Sequence, residues 1–396
     1  MASFNEFIDA CPIISTHEHI AQFPLPEPVN LDAAFLRSYI GWCGVDMTDR
    51  RRFLELLSGN SYFIWYEKAL DDLFHFGGEL TADNWDRVSD QLLAAMRDPG
   101  FHDDLFKRKC GYLRAILDTF WTPGSDDGRP DLFAPTFRIN SFLYGFHPDA
   151  RDHNGNNAQL LYGACASLEE YLAMIDQVIA GRKAAGAVAL KSALAYDRTI
   201  AFQPTERHVA AQVFGRSPRE LTPAAISQFG DFIFDYVCAA AARHNLPFQQ
   251  HTGLGLLAGS NPLNLIPMIE RHPATKFVLF HGGFPWIDEV AALSHNYPNV
   301  YLDLCWLPGI APTAAEYALH VMIEAGRDAS RITWGADAVY LTETYAHVLN
   351  FRHLVKKVLN QKIAEGYFSE SRARVWAERI MFRNAAELYG LRTDVP

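Results

Sequence analysis

Ile13-Ile14-Ser15-Thr16-His17-Glu18-His19 is the stretch on which the reading of this chain turns. Two β-branched residues open an apolar run that ends in His-x-His. In an extended chain, residues i and i+2 lie on one face, so a strand starting at Ile13 delivers both imidazoles to the same side at its C-terminal end. Seven more short runs follow. Tyr112 to Leu117 ends near Asp118, and Pro135 to Phe142 carries Arg138 and Asn140. Ala187 to Leu194 contains Lys191, Pro247 to Gln250 leads to His251, and Lys276 to Phe280 leads to His281. Asn299 to Leu304 is a seventh run, and Arg331 to Gly335 leads to Asp337.

Helical patterns separate these runs. Ser167 to Ala184 places Leu168, Tyr171, Leu172, Met174, Ile175 and Ile179 near helical spacing, with Ser167 as N-cap before Glu169 and Glu170. Thr222-Pro223 opens a helix running to about His244, with Pro in its first turn. Pro262 to Arg271, Ile287 to Asn296 and Ala314 to Ala325 are shorter candidates; Thr342 to Leu359 and Ser369 to Tyr389 close the chain. Strands alternating with helices imply parallel pairing through crossovers, and eight of them predict an α/β (β/α)8 TIM barrel. The expected organisation is one barrel over residues 1–396. Residues 20–111 form a helical insertion after the first strand, packed over the barrel mouth; its helical patterns are Phe35 to Trp42, Arg52 to Leu57, Trp65 to Phe74 and Asn84 to Met96. The segment Phe146 to Ala166, with Asp152-His153-Asn154-Gly155-Asn156-Asn157 inside it, reads as a polar loop.

Composition supports a large core, with 49% apolar and 20% charged residues. A net charge of −11 and the absence of long basic runs argue against a nucleic-acid surface. No stretch approaches a membrane span, and the N-terminus lacks a basic leader region. Cys11, Cys43, Cys110, Cys165, Cys238 and Cys305 are scattered without a Cys-x-x-Cys and read as core filling. The expectation is a cytoplasmic protein with a small-molecule substrate, no nucleic-acid or membrane partner, and a surface compatible with a homo-oligomer.

His17, His19, Lys191, His251, His281 and Asp337 each fall in or just after an expected strand. In a parallel barrel all C-terminal strand ends meet on one rim, so residues far apart in sequence converge. Each alone has a bland reading. With 15 His in 396 residues, about 0.6 His-x-His pairs arise by chance. Asp337 can cap a helix, and Lys191 can pair with a carboxylate. Their joint placement on strands one, four, five, six and eight is what points to a site. Imidazole and carboxylate are ligands for Zn²⁺ and similar divalent ions.

The order His-x-His, Lys, His, His, Asp along eight strands resembles the amidohydrolase superfamily. Ser15-Thr16-His17-Glu18-His19, Leu279-Phe280-His281-Gly282-Gly283 and Thr333-Trp334-Gly335-Ala336-Asp337 are similar to its amidohydrolase-2 branch. Val188-Ala189-Leu190-Lys191-Ser192-Ala193-Leu194-Ala195-Tyr196 and Phe280-His281-Gly282-Gly283-Phe284-Pro285-Trp286 resemble the amidohydrolase half of nodulin/glutamine-synthetase-like fusion proteins. The resemblance implies a metal, zinc above others, as one or two ions. His17, His19 and Asp337 would hold one ion and His251 would be a further ligand. His281 would ligate a second ion or polarise the substrate. Lys191 would either be carboxylated and bridge two ions, or stay unmodified and bind a substrate carboxylate.

Arg138, Tyr196, Arg198 and Trp306 lie near expected strand ends and are candidates for the substrate pocket; a guanidinium can grip a carboxylate with two bonds. His75 in the insertion reads as packed among aromatics. The function expected is hydrolysis of an amide or lactone in a small, carboxylate-bearing substrate, with Asp337 taking the water's proton and passing it to the leaving group. The rivals are a non-oxidative decarboxylase or uronate-type isomerase on the same site, and a non-catalytic small-molecule-binding barrel.

Overall fold

The computed structural model describes residues 3–20, 25 and 27–393. Positions 21–24 and 26 of the expected insertion, and Met1 and Ala2 of the N-terminal segment, lie outside the described residues. Eight strands form one sheet in sequential order, every pair parallel: β1 (Ile13–Glu18), β2 (Tyr112–Leu117), β3 (Phe133–Arg138), β4 (Ala189–Ser192), β5 (Phe248–Gln250), β6 (Phe277–Leu279), β7 (Val300–Asp303) and β8 (Ile332–Thr333). The residues after β8 close the ring onto β1. Thr16 donates to Trp334 O (3.0 Å), Asp337 to His17 O (2.9 Å) and His19 to Ala338 O (2.9 Å). Gly335 makes this approach feasible, because a Cβ there would sit 2.6 Å from His17 N. The seam therefore ties Asp337 to the His-x-His strand through the backbone itself.

The expected strands are all present, and several are shorter than the apolar runs suggested. The largest difference is β3. It ends at Arg138, and Asn140–Tyr144 is a 3-10 turn. Ile139 makes the last ladder bond, to Lys191 O, and the Asn140 side chain then accepts from Ala193 N instead of continuing the strand. Local side-chain bonding of this kind competes with regular pairing.

The helical caps follow the sequence reading. Ser167 accepts from Glu170 N at the start of Leu168–Ala184, and Thr222 accepts from Ala225 N at the start of Pro223–Arg243. Between β1 and β2 run the helices Leu31–Arg37, Arg50–Leu57, Ser61–Phe74, Trp85–Ala95 and Pro99–Asp104. Phe35 gathers Phe53, Phe63, Tyr66 and Trp85 around it within about 6 Å, and all five side chains are buried. Ser61–Phe74 packs along Leu341–Ala364, with Tyr66 bonded to Thr342 (2.7 Å). The helix expected over Phe35 to Trp42 stops at Arg37, because the Ser38 hydroxyl turns back onto Phe35 O. The polar loop after β3 contains a short helix, Ala158–Tyr162. The closing helix from Glu370 is interrupted by a π-turn at Arg379–Arg383. Among the described residues, no helix is long and apolar enough to cross a membrane.

Candidate metal centre

His17 and His19 leave β1 on the same face, toward a cavity of about 350 Å³ at the C-terminal ends of the strands. Glu18, between them, points the other way and is buried. It accepts from the hydroxyls of Ser15 and Tyr112 (2.7 Å each), and burial pushes its carboxyl up to about 7. Ligand-forming atoms of His17, His19 and Asp337 lie within 4.8 Å of one another. His19 Nε2 is 3.2 Å and His17 Nε2 3.6 Å from Asp337 Oδ1. His19 Nδ1 bonds Asp118 O (2.7 Å). With the proton assigned to Nδ1, the Nε2 lone pair faces the carboxylate.

Two more imidazoles stand beside this cluster. His281 Nδ1 bonds Cys305 O (3.0 Å), and His281 Nε2 bonds His251 Nδ1 (2.9 Å). Reading the donors along that chain leaves His251 Nε2 as a bare lone pair, and it is a buried nitrogen without a protein partner. Asp337 Oδ2 is 3.8 Å from His281 Nδ1. A second convergence joins His281, Asp337 and the Cys305 thiol, which sequence reasoning treated as core filling.

The electrostatics suit a cation. Burial, reinforced by Lys191, holds His17 well below the usual imidazole range, and burial holds His251 there too. Burial brings His281 down to about 4. Neutral imidazoles are what a metal requires. Burial alone would raise Asp337, but the imidazoles of His17, His19 and His281 outweigh it and hold the carboxylate well below its usual range. Burial likewise opposes the charged form of His19, yet the Asp337 carboxylate carries it above its ordinary value. Asp337 (φ 60°), His281 (φ 64°) and Trp306 (φ 64°) all hold left-handed backbones at the ends of β8, β6 and β7. Strain of this kind concentrates at functional sites.

Part of the chain that carries this cluster matches a known family by sequence. Residues 141–391 match the model of the amidohydrolase family, Amidohydro_2. The chain belongs to the amidohydrolase family. It is similar to protein fluG of Emericella nidulans, 29% identical over 244 residues, which is 57% of this chain and 28% of that protein. The chain thus spans little over a quarter of that curated relative. Among solved structures, uronate isomerase from Thermotoga maritima matches with a TM-score of 0.78 at 14% identity, covering 98% of this chain and 96% of that one. Glucuronate isomerase from Caulobacter crescentus matches with a TM-score of 0.73 at 18% identity, covering 99% and 94%. These likenesses establish the barrel.

The other expected residues of this amidohydrolase divide. Lys191 is buried, lines the cavity and lies 3.8 Å from the centroid of the Phe280 ring; burial brings its amine down to about 8. Among the described residues no carboxylate pairs with it. Arg138 lines the cavity and grips buried Asp118 through Nε (3.0 Å) and Nη2 (2.6 Å). Its Nη1 donates to Asn154 (3.1 Å). Tyr196 packs on His251 at 4.6 Å with its ring tilted by 58°. Trp306 lies behind the cavity, against His281 (5.5 Å) and Tyr39 (4.5 Å). Arg198 is not brought to the cavity: it turns away to pair with buried Asp231 (2.6 Å). His75 is exposed rather than packed, because it ends its helix in a left-handed conformation (φ 52°).

Sequence reasoning missed Asp118, Phe120, Tyr39, Trp42 and His153, all at or behind the cavity wall. It also missed Asp303, which accepts from Thr16 (2.6 Å), Thr333 (2.7 Å) and Cys305 N (2.8 Å). Burial pushes its carboxyl up to about 6. The position of Asp118 one residue past β2 was the available signal, since His19 and His251 stand likewise one residue past β1 and β5.

Proposed function

We propose that this amidohydrolase is a metal-dependent hydrolase of an amide or lactone bond in a small, carboxylate-bearing substrate. The observation that carries the reading is the convergence of His17 Nε2, His19 Nε2 and Asp337 Oδ1 on the cavity, with the bare His251 Nε2 nearby. This donor set fits a divalent ion such as zinc, with His17, His19 and Asp337 as its holders and His251 as a further ligand. Such an ion supplies a Lewis acid that polarises a carbonyl and brings hydroxide within reach of neutral pH.

The protein's own groups account for the remainder. Asp337 Oδ1 is committed to the imidazoles, which leaves Oδ2 to take the attacking water's proton. His281 spends both nitrogens on Cys305 O and His251, so it orients His251. Arg138 uses three of its five N–H groups on Asp118 and Asn154, and the other two, with the Lys191 amine, can receive a substrate carboxylate. In this reading Lys191 is unmodified and one ion is held.

Elemental analysis of the zinc-loaded protein tests the centre, with one ion per chain expected in the parent and in Lys191→Ala. A parent holding two ions, dropping in that variant, would replace this reading with a carboxylated lysine bridge. Turnover of amide and lactone panels in ¹⁸O-water tests the reaction. Label in the product acid supports hydrolysis. Release of CO2, or carbon-bound hydrogen transfer without label, assigns the site to decarboxylation or isomerisation instead.

A further inference from the structure

The polar loop after β3 places an imidazole in the cavity wall that the metal centre does not use. His153 lines the cavity, and its whole residue is clamped on one carboxylate. Its backbone N–H donates to Asp197 Oδ1 (2.7 Å), and its ring Nδ1 bonds Asp197 Oδ2 (2.8 Å). The Asp197 side chain is almost fully buried and is itself held by Asn140 Nδ2 (2.8 Å), while Asn140 Oδ1 accepts from Ala193 N (2.9 Å). The loop is built to hold still. Asp152 Oδ1 accepts from Asn154 N (3.0 Å) and Asn156 N (2.8 Å). Asn157 Nδ2 donates to three carbonyls, of Tyr144, His147 and Ala150. The His153 ring packs on Tyr196 (5.4 Å), which packs in turn on His251.

A carboxylate that only stapled the loop would need the peptide N–H and Asn140. The bond to the ring does something else: it commits Nδ1 and leaves Nε2 as the reactive nitrogen, without a partner among the described residues. A base oriented by a third group is the arrangement that proton-transfer residues take.

We propose that His153 is the proton donor to the leaving group, with Asp197 as its positioning residue. The proposal rests on the hydrolase reading. Hydrolysis needs two proton transfers, one from the attacking water and one to the departing nitrogen or oxygen; Asp337 performs the first, and His153, rather than Asp337, performs the second. His153 enters with a proton on Nε2. As the C–N or C–O bond breaks, its electron pair goes to the leaving atom, which takes that proton, and His153 is left neutral. The water oxygen stays in the product carboxylate, the proton on Asp337 is released to solvent, and His153 takes one back from solvent.

The test compares two glutaric acid monoesters, ethyl and 4-nitrophenyl, on the zinc-loaded parent, His153→Gln, Asp197→Asn and Asp337→Asn. Ethoxide needs a proton to leave, and 4-nitrophenolate does not. His153→Gln should lose about 10²–10³-fold in kcat on the ethyl ester, with KM little changed, and far less on the 4-nitrophenyl ester. Asp337→Asn should lose on both. Equal losses on the two esters in His153→Gln, or parental turnover on the ethyl ester, overturn the proposal. A parent that hydrolyses neither ester overturns this proposal, and the hydrolase reading falls with it where the amide and lactone panels also give no turnover. Nitrogen-15 spectra of the histidine rings, with the His153 signals identified by their absence in His153→Gln, test the dyad in the folded parent. In the neutral ring the proton should sit on Nδ1, and Asp197→Asn should abolish that preference. A bare Nδ1 with a fixed Nε2–H would also overturn the proposal.

Discussion

The rim formed by the strand ends and the helical segment between β1 and β2 meet at the same cavity but differ in how they reach it. His17, His19, His251, His281 and Asp337 stand at strand ends, each aimed by a backbone whose direction the barrel dictates. Tyr39 and Trp42 come from the β1–β2 segment and reach the cavity through an aromatic stack: Tyr39 on Trp306 at 4.5 Å, and Trp42 edge-on to Trp306 at 5.5 Å. A polar contact crosses between the two regions here, from the Tyr39 hydroxyl to Asp337 O (2.6 Å). The rim thus carries the imidazoles and the carboxylate in fixed positions. The helical segment supplies shape and holds a strained rim residue in place.

The largest expected effect falls on the rim. Asp337→Asn should lower turnover about 10³–10⁴-fold with an unchanged circular dichroism melt. Its backbone bonds to His17 O and Tyr39 remain, and Asn tolerates the left-handed conformation. Near-parental turnover in this variant would remove Asp337 from the chemistry. His17→Ala should weaken the hold on the metal, with elemental analysis after dialysis showing occupancy well below the parental value, because only His19, Asp337 and His251 of the four proposed donors remain. Full occupancy in that variant would shift the centre toward the His281 and Cys305 side.

A second contact of Tyr39, through its backbone N–H to Glu343, has a pH dependence. Glu343 accepts from Tyr39 N (3.0 Å) and Val339 N (3.1 Å), and burial pushes its carboxyl up to about 7 from 4.5. The folded state therefore keeps a proton that the unfolded chain releases. This group's contribution to stability declines as pH rises from about 4.5 to 7, on the order of 3 kcal/mol in all. Denaturant titrations of the parent and Glu343→Gln should show the parent losing more stability across that window; parallel pH curves would place the proton elsewhere. Smallest is Tyr39→Phe, expected to cost about 1 kcal/mol of stability and at most about tenfold in kcat. A loss on the scale of Asp337→Asn would make Tyr39 part of the chemistry and erase the distinction between the two regions.

How much of this was legible follows the same division. β1, β4, β5, β6 and β8 could be found from short apolar runs ending in His, Lys or Asp, because strand alternation and parallel closure act locally and by rule. Arg198 misled for a complementary reason: it follows β4 by several residues, past the 3-10 turn Leu194–Tyr196, so its direction is set by Asp231 on the helix Pro223–Arg243. His153 was visible only as one residue of a polar loop. Its role depends on Asp197, 44 residues away, and no periodicity links the two.

From the sequence alone came the order of eight parallel strands, the starts of the helices Leu168–Ala184 and Pro223–Arg243, and the set of imidazoles and the carboxylate that share one rim. Those features depend on backbone periodicity and local hydrogen bonding, which short segments encode. Only the tertiary structure decided which nitrogen of His251 is bare, that Arg138 is spent on Asp118, that Cys305 and Asp303 lie against the site, and that Tyr39 crosses from the β1–β2 segment to Asp337. Each of these is a contact between elements remote in sequence. It is settled by how the whole chain packs and by which buried donors must find acceptors there.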